Sequence, residues 1–172
     1  MLLRITDFNE IDKRKLMDIY SESNFENTDY FYPNEENKTL AVQKVEEGFL
    51  DYLENEFFVM PGSTYWVLEE NGLWISALRT NYISEGLFYI EALETRVDKR
   101  NMGYTTKLIN SIIEVMKEEG SFKLCSCVSK QNEASLKAHQ KCGFKIVSED
   151  GFNYLLNAFE PQDYGLEFTF IK

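Results

Sequence analysis

The sequence predicts a mixed α/β (α+β) fold built on a mostly antiparallel sheet. Asn71-Gly72 separates two strand-like segments, and an Asn-Gly pair readily adopts the positive φ values of a tight hairpin turn. Apolar side chains recur at helical spacing in residues 104–119, and strand-like and helix-like segments alternate after residue 120. A hairpin followed by such an alternation is typical of this fold class.

The N-terminal region is predicted to contain a strand and a helix. Residues 2–8 alternate apolar and polar side chains, as an edge strand does. Residues 11–20 have apolar side chains at rough helical spacing, and this helix is predicted to end near Asn24. Residues 25–33 are polar and aromatic by turns, and Pro33 disfavours helix in the residue ahead of it, so we predict a loop there.

The middle of the chain is predicted to form one helix and an antiparallel meander. An apolar stripe on a charged segment indicates a helix over residues 37–58, which Pro61-Gly62 ends. Strand-forming residues separated by turn residues then predict three consecutive strands. These strands are residues 64–69, 73–82 and 87–95.

The C-terminal half is predicted to begin with the amphipathic helix over residues 104–119, which Gly120 closes. No linker or repeat follows, so we predict a single domain over residues 1–172. The remaining predicted elements are a strand over 123–129, a helix over 133–141 and strands over 144–148 and 165–171.

Composition and charge exclude several classes of protein. The chain has 172 residues, of which 44% are hydrophobic, and this is enough for one core and argues against disorder. The net charge of −11 argues against a nucleic-acid partner, which requires a clustered basic surface. No apolar run approaches the ~20 residues of a membrane span, and the N-terminus lacks a secretory signal pattern, so we predict a cytoplasmic protein with no membrane partner.

The three cysteines are predicted to be reduced, packed thiols. Cys125 and Cys127 lie two residues apart in a strand, where their Cβ atoms point the same way but are too far apart for a comfortable disulfide. The third is Cys142, and His139 is the only histidine in the chain. This set lacks the ligands of a workable metal centre, so we predict no metal.

The segment at residues 100–105 is interpreted as a phosphate cradle. A glycine at position 103, opening a helix, presents unpaired backbone amides and the positive helix end to an anion. Residues 96–107 carry four basic side chains and one acidic one in an otherwise acidic protein. The alternative is that these charges are merely solvated at the surface.

Together with a second set of residues, this segment resembles the GNAT superfamily of acyl-CoA-dependent N-acyltransferases. The family pattern Arg/Gln-x-x-Gly-x-Gly/Ala corresponds to residues 100–105. A family Asn, a Tyr seven residues later and a Gly-Phe four after that correspond to Asn132, His139 and Gly143-Phe144. The resemblance covers about residues 73–147. It implies a three-layer fold with a twisted sheet flanked by helices on both faces, and acetyl-CoA as co-substrate.

The resemblance also implies which residues hold CoA. In the family the loop amides bind the pyrophosphate, and the preceding strand pairs its backbone with pantetheine. Thr105 stands where the family has a small residue, and its hydroxyl is able to donate to a phosphate oxygen; the alternative is weaker CoA binding. The implied CoA-binding residues are Leu93, Thr95, Val97, Arg100, Asn101, Met102, Gly103, Tyr104, Thr105, Asn132 and Ser135.

Two catalytic residues follow from the same resemblance. His139 replaces a tyrosine that family members often use to protonate the departing thiolate, and imidazole can also donate a proton. Glu91 lies where family members carry a catalytic Glu, and it is the predicted base for the amine, with backbone amides around Leu93 meeting the oxyanion. In a regular strand Glu91 shares a face with Leu93 and Thr95, and Glu94 points away. The alternatives are a packed core histidine and a solvent-facing glutamate.

The acceptor is expected to bind near the N-terminal helices, as the resemblance implies. Carboxylates there suit an ammonium group and aromatic rings suit its carbon skeleton. A polyamine, an amino sugar or a peptide N-terminus each fits, and the alternative is a mobile acidic loop. A homodimer remains one option. The expected acceptor-binding residues are Glu26, Asp29, Tyr30 and Tyr32, with Glu22 and Phe31 nearby.

The sequence therefore predicts an N-acetyltransferase that moves an acetyl group from acetyl-CoA to a primary amine of a small molecule or peptide. Direct attack in a ternary complex is the predicted route. One alternative is a catalytically silent CoA-binding regulatory module, for which Thr105 and His139 are the motivating departures. Another is an acidic interaction protein on the same fold, which would not bind CoA.

Overall fold

The computed structural model describes residues 1–172. Seven strands form one sheet in the spatial order β1-β2-β3-β4-β5-β9-β6, and β7 and β8 form a separate hairpin. All neighbouring strands of the large sheet are antiparallel except β4 and β5. The strands are β1 (Leu2–Ile5), β2 (Thr64–Glu70), β3 (Leu73–Ser84), β4 (Leu87–Thr95), β5 (Phe122–Ser129), β6 (Lys145–Ser148), β7 (Gly151–Asn153), β8 (Ala158–Glu160) and β9 (Asp163–Phe170).

Helices cover both faces of this sheet. β2 illustrates the two cores, because Tyr65 and Val67 pack in a cluster with α1, whereas Trp66 and Leu68 pack in a cluster with α4. The predicted fold class, a mostly antiparallel sheet between helical layers, is confirmed. The helices are α1 (Lys13–Ile19), α2 (Ser21–Phe31), α3 (Lys38–Tyr52), α4 (Tyr104–Glu119) and α5 (Glu133–Lys141).

The loop predicted over residues 25–33 is wrong, because α2 occupies most of it. The buried residues of α2 are the polar Asn24 and Thr28, whereas Phe25 and Tyr30 are exposed. This reverses the usual apolar pattern of an amphipathic helix, so the periodicity gave no helical signal. The helix ends just before Tyr32 and a proline, as the steric rule for residues preceding proline requires.

The hairpin of β7 and β8 was not predicted. Each of its strands has three residues, which is too short for an alternating pattern to be recognised. The segment packs beside β5 and β9, where Tyr154 lies against Tyr89 with ring centroids 5.7 Å apart. A side chain added at Gly151 would meet the Cys127 sulfur at 2.7 Å, so this close approach requires glycine.

A bulge in β4 changes which side chains share a face. Ala92 has a positive φ of 50°, and the register with β3 advances three residues in β4 for two in β3 at this point. As a result Leu93 packs with the α4 cluster and Thr95 bonds to α4, whereas Glu94 turns to the face that carries Glu91. The predicted grouping of Glu91 with Leu93 and Thr95 is therefore wrong.

β4 also separates from β5 at the bulge. Their parallel pairing runs from Leu87 to Ile90 of β4, and the last matched pair is Ile90 with Ser126. Beyond it the β5-facing edge of β4, from Glu91 to Thr95, has no partner strand. This opens a cleft in the middle of the sheet.

Candidate functional site

The cradle loop, residues 100–105, ends at the N-terminus of α4. Asn101 and Gly103 have positive φ values of 60° and 81°, which turn the chain sharply into the helix. None of the backbone amides of residues 101–106 donates a hydrogen bond to a protein acceptor, and the first to do so is that of Lys107, to the Gly103 carbonyl at 3.0 Å. A Cβ built at Gly103 meets no atom within 4 Å, so there is open space beside this glycine. The loop therefore has the donors and the room for a phosphate group.

Side chains of the cradle loop tie it to its surroundings. The Thr105 hydroxyl lies 2.9 Å from that of Thr95, which connects α4 to the end of β4. Arg100 is ion-paired with Glu22 and Glu94, and its Nε donates to the Thr95 carbonyl at 3.2 Å. The Arg100 guanidinium therefore links the cradle loop to α2 and to the end of β4.

Three other residues of this region are bonded elsewhere or exposed. The Tyr104 hydroxyl donates to Glu70 at 2.5 Å. Val97, in a short 3-10 helix, and Met102 are exposed. The exposed side chains of Val97 and Met102 are available to contact a bound group.

The cleft between β4 and β5 contains a cavity of about 220 Å³, called here the cleft cavity. Its walls include the bulge residues Ala92 and Leu93, and α5 with its N-cap contributes Asn132, Ser135 and His139. Asn132 caps α5, because its Oδ1 accepts from the Ser135 amide at 3.0 Å. The structure thus brings together the residues of β4 and α5 that the resemblance implied.

His139 is 1% exposed, and its ring has one satisfied nitrogen. Nδ1 lies 2.9 Å from the Ser135 carbonyl, which can only accept, so Nδ1 carries the proton in the neutral ring. Nε2 is buried and has no hydrogen-bond partner. Burial lowers the pKa of His139, and the bond to Ser135 opposes this only in part. At neutral pH the ring is therefore neutral, and its buried Nε2 carries a lone pair without a partner.

Glu91 lies next to the bulge and is held by two residues of β3. Asn81 donates to its Oε1 at 3.1 Å, and Nε of Arg79 lies 3.2 Å from the same oxygen without hydrogen-bond geometry. Both contacts use Oε1, so Oε2 is committed to neither. Burial raises the pKa of the Tyr52 phenol, and the nearby charge of Glu91 raises it further.

A larger cavity of about 570 Å³, called here the helical cavity, lies between α2, α3 and β4. Its lining includes five aromatic side chains, among them Phe49 and Tyr52 from α3. Ala92 and Leu93 line this cavity as well as the cleft cavity, so the two meet at the bulge of β4. Its polar lining consists of Ser23, Asn24, Asn27, Lys44, Arg79 and Glu94, with the hydroxyls of Tyr20, Tyr32 and Tyr52.

Glu94 is the only carboxylate that lines the helical cavity. Burial raises its pKa, and the Thr95 amide and Arg100 oppose that rise. The bonds are 3.1 Å from the Thr95 amide and 3.1 Å from Nη2 of Arg100. Glu94 is therefore a second carboxylate near the bulge, in a different environment from Glu91.

Of the residues expected to bind the acceptor, Tyr32 lines the helical cavity, as does its neighbour Phe31. Glu26, Asp29 and Tyr30 are exposed and line neither cavity. Arg79 was missed, although a charged residue in the apolar run of β3 is a recognisable signal of a special role.

No group of three or more His, Cys, Asp or Glu side chains is placed to hold a metal ion. The cysteines are free, with Cys125 and Cys142 buried. None of the helices combines the length and apolar character that crossing a bilayer needs.

Comparison with solved structures finds N-acetyltransferases over nearly the whole chain. The PaiA N-acetyltransferase from Thermoplasma acidophilum, in complex with coenzyme A, has a TM-score of 0.66 at 15% identity, covering 99% of both chains. Campylobacter jejuni N-acetyltransferase PseH with acetyl coenzyme A has a TM-score of 0.60 at 16% identity, covering 98% of this chain and 99% of that one. An aminoglycoside acetyltransferase with coenzyme A and kanamycin has a TM-score of 0.64 at 12% identity, covering 98% and 94%.

A search of curated proteins finds no match. The profile of the acetyltransferase (GNAT) family matches residues 13–144, which include α1, the bulge of β4, the cradle loop and α5. This match covers more than half of the chain and agrees with the fold of the solved N-acetyltransferases. The chain therefore belongs to the acetyltransferase (GNAT) family and is an acyltransferase.

Proposed function

We propose that this acyltransferase moves an acetyl group from acetyl-CoA to a primary amine of a small molecule or peptide, by direct attack in a ternary complex. The observation that carries the proposal is the meeting of the two cavities at Ala92 and Leu93. The cleft cavity lies along the C-terminal half of β4, which leads to the cradle loop. The helical cavity is a separate space that a second substrate could occupy. Each substrate therefore has its own route to the bulge.

CoA fits the residues around the cleft. The free amides of residues 101–106 suit its pyrophosphate, and the unpaired edge of β4 from Glu91 to Thr95 suits the amides of its pantetheine arm. When bound, acetyl-CoA supplies the acetyl group as a thioester and a thiolate as the leaving group. Asn132 and Ser135 line the same cleft. Solved relatives that contain CoA or acetyl-CoA support this assignment.

Glu91 is our candidate for the base that takes the proton of the amine. It lies at the bulge, where the two cavities meet, and Asn81 and Arg79 fix its orientation through Oε1. Oε2 remains available as a proton acceptor. Arg79 and Asn81 keep the carboxylate in place without using this second oxygen.

Direct transfer is favoured over an acyl-enzyme at Cys127. This thiol lines the cleft cavity, but burial raises its pKa. A protonated thiol is a poor nucleophile, and the group beside it is the Tyr89 phenol, whose own pKa is raised by burial. The acceptor amine is then the group that attacks the thioester.

His139 is our candidate proton donor to the departing thiolate. Because Ser135 fixes the proton of the neutral ring on Nδ1, Nε2 can donate only in the imidazolium form. The pKa of His139 is lowered, so this form exists below that pKa and is lost as the pH rises through it. We expect the ratio of wild-type turnover to that of His139→Tyr to fall about tenfold per pH unit above this pKa, since a phenol stays protonated to about pH 10.

The control for this expectation is His139→Phe, which fills the pocket without a proton to donate. It should turn over slowly at every pH with acetyl-CoA affinity unchanged. If the Phe variant is as active and as stable as the wild type, His139 is a packing residue and the donor lies elsewhere.

The proposed function is tested by calorimetric titration with acetyl-CoA, followed by release of free thiol in the presence of a panel of primary amines. We expect saturable binding and amine-dependent thiol release. The second candidate is a catalytically silent CoA-binding regulatory module, favoured by the missing proton on Nε2 of neutral His139. Binding without thiol release from any amine would support that module, and absence of binding would exclude both.

A further inference from the structure

Arg79 is a buried cation in the wall of the helical cavity. Its side chain comes from the middle of β3 and the residue is only 8% exposed. The guanidinium carbon lies 5.6, 5.0 and 5.5 Å from the ring centroids of Phe49, Tyr52 and Phe57. These rings hold the guanidinium in one orientation and keep water away from it.

The hydrogen bonds of this guanidinium are not satisfied within the protein. Nη1 is buried without a partner, and Nε faces Glu91 at 3.2 Å without hydrogen-bond geometry. A buried donor without a hydrogen-bond partner destabilises the protein by about 1–3 kcal/mol, and by more when the donor is charged. A structural role alone would be served by Glu91 with good geometry. Nη2 also makes no hydrogen bond within the protein and is not among the buried atoms, so it is the donor that a partner arriving with the substrate can reach from the helical cavity.

We propose that Arg79 binds a carboxylate of the acceptor, and that the acceptor is an α-amino acid with an aromatic or large apolar side chain. This inference rests on the proposed function. A guanidinium presents parallel N–H donors that match a carboxylate, and charge-assisted bonds of this kind are about twice as strong as neutral ones. The acceptor thus carries both the amine that is acetylated and the anion that holds it.

The position of Arg79 relative to Glu91 selects an α-amino acid. The two residues are directly opposite in the antiparallel pair of β3 and β4. A carboxylate held by Arg79 therefore places an amine on the adjacent carbon next to Glu91, the candidate base. An amine many bonds away from the carboxylate would lie elsewhere in the cavity.

The other charges of the helical cavity argue against a polycation. Arg79 and Lys44 are its basic residues, and Glu94 is its one carboxylate, already paired with Arg100. Lys44 is ion-paired with Glu35 at 2.7 Å and hydrogen-bonded to it, whereas Arg79 is ion-paired with Glu91 at 3.2 Å without a hydrogen bond. A polyamine would meet like charges here without a free acid to hold its second ammonium group.

The volume and lining of the cavity select the side chain. About 570 Å³ lies within the usual range for small-molecule sites and exceeds the needs of a short aliphatic amino acid. The aromatic side chains that line the cavity include Phe31, Tyr32 and Phe49. An aromatic ring on the substrate would pack against these side chains and displace water from them.

The test compares pairs of amines that differ only by a carboxylate. Thiol release from acetyl-CoA is measured with phenylalanine against phenethylamine, and with tyrosine against tyramine. We expect kcat/KM for each amino acid to exceed that for its decarboxylated partner at least tenfold. Arg79→Gln should lower kcat/KM for the amino acids at least tenfold more than for the two amines, because loss of the contact with Glu91 or a general structural defect would lower both classes alike.

Two controls keep the outcome interpretable. Arg14→Gln removes an exposed arginine of α1 that lines neither cavity, and it should keep the wild-type preference. Calorimetric titration with N-acetylphenylalanine, which has the carboxylate but no free amine, should detect binding to the wild type that weakens at least tenfold in Arg79→Gln.

The outcomes separate this inference from the proposed function. If acetyl-CoA binds and the decarboxylated amines are acetylated as well as the amino acids or better, the carboxylate site is wrong and the acetyltransferase stands. If acetyl-CoA binds but no amino acid is acetylated, the substrate class is likewise overturned. If acetyl-CoA does not bind, the proposed function fails, and the N-acetylphenylalanine titration still decides whether Arg79 holds a carboxylate.

Discussion

Glu91→Gln is expected to lower acetyl transfer about 100-fold or more at neutral pH while acetyl-CoA affinity is unchanged. The amide keeps the shape of the side chain, and its Oε1 can still accept from Asn81, so the local structure should persist. What disappears is the proton acceptor at the junction of the two cavities. Calorimetry of acetyl-CoA binding and steady-state thiol release measure the two quantities separately.

The matched control is Glu94→Gln, which changes a second carboxylate three residues along the same strand. Glu94 is held by the Thr95 amide and Arg100, and it lines the helical cavity but not the cleft cavity. We expect a loss below about tenfold from its removal, because its role is to orient groups rather than to accept the proton. A Glu91→Gln variant with wild-type turnover, or one less impaired than Glu94→Gln, would transfer the base role to Glu94.

Local signals in the sequence predicted the elements that form the proposed CoA half of the site. The predicted bounds of β4, α4 and α5 agree with the structure, because strand, cap and amphipathic patterns coincide there. The cradle loop is contiguous in sequence, so its glycine and free amides could be inferred from one segment. Asn132 and His139 follow at helical spacing on α5 and also needed no long-range contact to be placed.

The proposed acceptor half could not be predicted in the same way, because its contacts are non-local. Arg79 meets Glu91 only through the pairing of β3 with β4, and meets Phe49 and Tyr52 only through the docking of α3. The bulge at Ala92, which has an ordinary side chain at a positive φ, gives no sequence signal. Without it, regular alternation assigns Glu94 to the wrong face.

The sequence prediction missed α2 for a related reason. Its buried positions are polar and its exposed positions include aromatic rings, so residues 25–33 resemble an irregular segment. Phe31 at its end is exposed yet lines the helical cavity. An exposed ring at the rim of a cavity fits a binding surface better than a core, which explains why a pattern that reports burial misplaced it.

Gly103→Val is expected to weaken acetyl-CoA binding at least tenfold, or about 1.4 kcal/mol, in a protein that still folds. The substitution adds a branched side chain where the free amides of residues 101–106 face open space, so the bulk lies where the pyrophosphate would approach. The positive φ of 81° adds backbone strain on the order of 1–2 kcal/mol. The two effects must be separated before the loss is assigned to the cradle loop.

Gly72→Val separates them. Gly72 has a φ of 77° in the hairpin between β2 and β3, and a Cβ there also meets nothing within 4 Å, so the strain is matched. Both variants should lose a similar amount of thermal stability, but only Gly103→Val should lose acetyl-CoA affinity. Equal affinities in two folded variants would show that the amides at the start of α4 do not hold the pyrophosphate. An affinity loss confined to Gly103→Val would leave direct obstruction of the cradle loop as its cause, since strain alone is present in both.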